Sequence, residues 1–156
     1  MKEAKELFFQ YDGSRFYMSH DGVEADYLSA GVPPEAEAAW LRELTQDKLR
    51  LLSQEGNWMV LHFLNDHAGI GHLAEVVQAD PKGKLWQRCA YLEQFLDYTD
   101  KARRAGGEPS LVSRAFRKAI VEAERLLKRA RSEDSIQRVR AVVVQAHQFL
   151  GEIEMG

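Results

Sequence analysis

Between Ser110 and Arg131 the chain repeats its apolar residues at helical spacing, and that run constrains what can be built around it. At about 100° per residue, Val112, Phe116, Ala119, Ile120, Ala123, Leu126, Leu127 and Ala130 gather on one side of a helix. Arg114, Arg117, Lys118, Arg125, Lys128 and Arg129 fall within about 120° on the other side. A helix so divided needs an apolar partner along its whole length, so the rest of the chain must supply a core. Pro109 suits the first turn, where its missing N–H costs no hydrogen bond.

Four further segments carry the same periodicity. Val32-Pro33-Pro34 opens a helix over about 34–54, with Glu35 and Glu37 where the helix dipole favours acids and Trp40, Leu41, Leu44, Leu51 and Leu52 as its stripe. Gly56-Asn57 ends it, and Asn57 is a suitable cap for a second helix over about 57–78. That segment is apolar on much of its circumference, as a central helix would be, although Gly69 and Gly71 can kink or interrupt it. Asp80-Pro81 leads into a helix over about 82–104, with Leu85, Cys89, Leu92, Leu96 and Thr99 in step, closed by Gly106-Gly107. After the helix over 110–131, Ser132-Glu133-Asp134-Ser135 caps a last one over about 134–152. The short connections predict antiparallel neighbours.

The N-terminal region reads differently. Leu7-Phe8-Phe9-Gln10-Tyr11 and Ser14-Arg15-Phe16-Tyr17-Met18-Ser19 are aromatic-rich runs about Asp12-Gly13, a dipeptide that tolerates positive φ at both positions, as a two-residue hairpin turn requires. A hairpin over about 7–19 pairs Tyr11 with Ser14, Phe9 with Phe16 and Leu7 with Met18 on one apolar face. After the second Asp-Gly, at 21–22, a helical turn ending at Gly31 is favoured over a third strand. The predicted fold is therefore α+β, mostly α: a β-hairpin packed on about five helices, in one domain of residues 1–156.

Composition narrows the setting. With 45% hydrophobic and 29% charged residues the chain is too apolar to be disordered. It lacks the roughly 18 consecutive apolar residues of a membrane span, and its mixed-charge start is unlike a secretory signal. With a single cysteine, Cys89, that points to the cytoplasm and away from membranes. Residues 1–100 hold 9 basic and 17 acidic side chains, net −8, whereas residues 101–156 hold 12 and 7, net +5.

Three surfaces invite a functional reading. The six cations from Arg114 to Arg129 could engage phosphates or an acidic partner, although a solvated face explains them more plainly and no aromatic residue among them could stack a base. His62 and Asp66, four apart, can adjoin as half of a metal site. His67 and His72 share the segment, but successive steps of five residues turn them to different faces. His20 or His147 would have to complete the set. The last helix carries Val142 and Phe149 beside its Ile136–Ile153 stripe, a width that a second copy of the chain could cover. Cys89 reads as a core thiol, Gly69-Ile70-Gly71 lacks the strand and third glycine of a nucleotide loop, and no cofactor is expected. The reading that results is a non-enzymatic interaction or regulatory domain acting on a protein partner or on itself, with polyanion binding as the alternative and a His62/Asp66 metal enzyme the weakest.

Overall fold

The computed structural model describes residues 2–155, the side chains of Lys2 and Ala68 excepted. Among the described residues all regular structure is helical and there is no strand, so the fold is all-α and not α+β. The chain divides into two compact units, Met1–Arg50 and Leu51–Gly156.

The first unit holds α1 (Lys2–Gln10), α2 (Arg15–His20), α3 (Glu24–Ser29) and α4 (Pro34–Leu49). The hairpin over 7–19 is thus replaced by two helices. Asp12 and Gly13 do adopt positive φ, 49° and 72°, but the turn ends a helix. The Gly13 amide donates to the Phe8 carbonyl at 2.8 Å and the Asp12 amide to that of Phe9 at 3.2 Å. This bond pair closes a helix whose next residue is left-handed. Ser14 then caps α2, its Oγ accepting from the Tyr17 amide at 3.3 Å. The aromatic run before Asp12 fits a helix as well as a strand, because Ala4, Leu7, Phe8 and Tyr11 follow the i, i+3, i+4, i+7 template. Phe8 settles between Trp40 (5.7 Å between centroids) and Tyr27 (6.4 Å), and Phe16, assigned to the core face of the hairpin, is 73% exposed. The helical turn expected after Asp21-Gly22 is α3.

The second unit is organised on α7 (Leu85–Arg104), α8 (Pro109–Leu127) and α9 (Glu133–Met155), which pack on one another. Glu93 pairs with Arg138, and Arg103 with Glu152 at 3.2 Å, so α7 and α9 run parallel. The central helix is α7, not the 57–78 segment: Cys89, Tyr91, Leu92, Phe95, Leu96, Tyr98, Thr99 and Ala102 are all buried. The 57–78 segment is broken into α5 (Trp58–Phe63), a π turn over Leu64–Ala68 and α6 (Leu73–Val76). Gly69 is the cause, since its φ of 65° and ψ of −177° are open essentially to glycine alone. Tyr98 staples the break, its hydroxyl donating to the Gly69 carbonyl at 2.7 Å and accepting from the His72 amide at 3.2 Å. Asn57 stands at the predicted cap position, but its buried side chain holds loops instead. It donates to the Leu52 and Asp80 carbonyls at 2.8 and 2.9 Å and accepts from the Lys82 amide at 3.1 Å.

Candidate functional site

The histidines of the second unit each have neighbours of their own. His62 Nε2 and Asp66 Oδ2 lie 3.3 Å apart, as their spacing allows, with side chains 46% and 50% exposed. The His67 ring packs on Phe63 at 5.2 Å, and His72 Nδ1 faces Glu75 at 3.5 Å. His147 lines a groove between α8 and α9. Among the described residues no three histidine, cysteine, aspartate or glutamate side chains come together where they could hold a metal ion. Cys89 is buried, and that burial foremost raises its thiol pKa, which suppresses the thiolate a nucleophile needs.

The basic face of α8 is divided among several roles. At one end Arg114 lies by Glu108, whose carboxylate caps α8 by accepting from the Ser110 and Leu111 amides, both at 3.2 Å. Its hydrogen bond to the Ser110 side chain does most to hold the Glu108 carboxyl below the usual range. Arg117 faces Glu154 across 3.9 Å. Lys118 turns inward: its Nζ donates to the Val77 and Ala79 carbonyls, both at 2.6 Å, and pairs with Asp80 at 3.2 Å. Its role is to fasten the loop after α6 onto α8.

The remaining three, Arg125, Lys128 and Arg129, line a groove of about 340 Å³ with Arg88 from the first turns of α7. Spaced i, i+3, i+4, they share one side of the helix. Arg88 reaches the same place from a separate helix, its Nε donating to the Gly83 carbonyl at 2.9 Å. Pro81 and Leu126 add an apolar lining. Glu122 is the one acid in the lining; its side chain is only 14% exposed and it holds Arg125 at 2.9 Å. Four cations and one carboxylate leave the groove strongly positive. Three of the cations also sit at the C-terminus of α8, where they offset the negative end of its dipole. Arg88 is not on that helix, so the dipole does not account for it.

One buried hydroxyl on α7 lacks a partner. Tyr91, one turn after Arg88 on α7, is 1% exposed, and its oxygen is the single buried side-chain polar atom without a hydrogen-bond partner among the described residues. Burial first, then the negative charges of Asp80 and Glu122, raises its pKa. Arg88 escaped the sequence reading because it stands 37 positions before Arg125. The available signal was that all three cations of residues 51–100, Lys82, Lys84 and Arg88, fall within seven positions.

The width of α9 is used within the chain. Val142 is buried, and the Phe149 ring meets Phe116 at 5.3 Å and the Arg103 guanidinium at 4.9 Å. No helix among the described residues is long and apolar enough to cross a membrane. Family models, curated proteins and solved structures give no match to this chain.

Proposed function

We propose that this chain is a non-enzymatic cytoplasmic binding protein whose second unit recognises an anionic ligand in the groove between α7 and α8. The observation that carries the reading is the convergence of Arg88 with Arg125, Lys128 and Arg129 on one depression. Two arginines on a single helix face are ordinary surface; cations delivered from two elements to one concave site form a geometry suited to phosphate or carboxylate oxygens. Binding is favoured over catalysis by the lining itself, which has no histidine, cysteine or hydroxyl to act as nucleophile, and whose one carboxylate is engaged by Arg125.

Isothermal titration at low salt with a panel of anions tests it. The wild-type chain should show saturable 1:1 binding to at least one of them, and Arg125→Gln combined with Arg129→Gln should weaken that binding at least tenfold, the scale of a lost charge-assisted pair. Binding that the double variant leaves intact would place the anion elsewhere and remove the proposal.

A second reading, docking on a protein partner through helical faces, is favoured by a groove of about 490 Å³ between α8 and α9. Ile120, Val121 and Leu150 line it, and Val121 is 46% exposed. Sedimentation analysis would expose a self-association through it, which Val121→Glu should abolish.

A further inference from the structure

We infer that the ligand of this groove is a compact molecule bearing clustered phosphate groups, and not a nucleic-acid strand or an extended acidic peptide. The inference rests on the anion-binding reading above and narrows its ligand class.

The cations are arranged around a point and not along a path. A strand lying on α8 would need free charges at regular intervals over the roughly 28 Å of a 19-residue helix. The midpoint of that path offers none: Lys118 is spent on two carbonyls and Asp80, Val121 is an exposed apolar side chain, and Glu124 is an exposed acid. Beyond it Arg117 faces Glu154 across 3.9 Å. A polyanion tracking the helix would therefore find no unshared cation across the turn that holds Lys118 and Val121.

Within the groove the balance reverses. Arg88 comes from α7 and Arg125, Lys128 and Arg129 from the end of α8, and the volume of about 340 Å³ lies at the small end of ligand sites. Two or more phosphates on a short scaffold can meet several forks at once, whereas a single phosphate can meet few of them. No aromatic ring lines the groove, so a nucleobase would find no stacking surface there. The whole second unit, residues 51–156, carries 15 basic and 14 acidic side chains. Its near-neutral total favours a local anion site over a surface that gathers long polyanions.

The experiment uses the full chain at 50 mM and 200 mM salt with five probes: inorganic phosphate, tripolyphosphate, inositol hexakisphosphate, a 20-nucleotide single strand of DNA or RNA, and a poly-glutamate peptide. Tripolyphosphate or inositol hexakisphosphate should bind 1:1 and at least tenfold more tightly than phosphate, the strand or the peptide. The two compact probes separate a linear phosphate chain from a phosphorylated ring. Arg125→Gln and Arg129→Gln should each weaken the compact probe about tenfold, Arg129→Gln with an unchanged melting temperature. Arg88→Lys, which keeps the charge but loses the fork, should weaken it several-fold, tying the site to α7 as well as α8. Tighter binding of the strand or the peptide, sensitive to the same substitutions, would overturn the compact ligand while leaving the groove as an anion site. No saturable binding of any probe would overturn both.

Discussion

Lys118 and Arg125 are seven residues apart on one face of α8 and do opposite things. Lys118 has its charge satisfied by the Val77 and Ala79 carbonyls and Asp80, with its side chain only 21% exposed, so it contributes to stability. Lys118→Met keeps the aliphatic stem but strips those carbonyls of their donor, and should lower unfolding free energy by about 2 kcal/mol. Chemical denaturation measures that loss, and the affinity of the groove should stay within twofold of wild type. A wild-type-like denaturation midpoint would show that Lys118 is as dispensable as a solvated cation. Helical periodicity placed both residues on the polar face, but it does not distinguish a charge facing water from one facing a neighbouring loop's carbonyls. That distinction lies in where residues 77–80 are carried, which only long-range packing sets.

At the scale of elements, glycine decided more than hydropathy. The apolar content of 57–78 predicts one long helix, yet Gly69 interrupts it with a backbone conformation that side-chain-bearing residues seldom adopt. A methyl group at either Gly69 or Gly71 would meet open space, so any difference between the two substitutions reports on backbone conformation alone. Gly69→Ala should destabilise by about 1–3 kcal/mol. Gly71→Ala, where φ is not positive, should be neutral or stabilise by up to about 1 kcal/mol through the unfolded chain. Equal melting temperatures for the two variants would contradict this account. Asp12-Gly13 teaches the complementary lesson. Its left-handed geometry was legible, but the same geometry serves a hairpin turn and a helix terminus. From within the helix over 2–10 the Phe8 ring packs near Trp40 and Tyr27, contacts that favour the helix terminus.

For the molecule as a whole, α7 is the element on which the second unit depends, and Cys89 is a natural reporter of it. The thiol is 2% exposed and its pKa is raised by burial, so the thiolate is scarce at neutral pH and shielded from reagents. Alkylation by iodoacetamide should be negligible in the native protein, and on adding denaturant it should rise in step with loss of helical circular dichroism. Rapid labelling of the native state would indicate that α7 is accessible without unfolding. The charge asymmetry also looks different at this scale. Residues 1–50 hold 6 basic and 10 acidic side chains, so the acid excess belongs to the first unit and the second is almost balanced. A count split at residue 100 blurred that division.

What the sequence determined by itself is the local physics: the amphipathic character of α8 and α9, the end of α7 before Gly106-Gly107, the glycines able to interrupt 57–78 and the left-handed pair at 12–13. Each follows from a period, a cap or a permitted dihedral, all of which act over a few residues. The tertiary structure alone decided that 7–10 is helix, that α7 is central, that no three ligand side chains among the described residues gather for a metal, and that Arg88 joins Arg125, Lys128 and Arg129. Each of those outcomes depends on contacts or separations between residues far apart in the chain, and a local pattern holds no information about them.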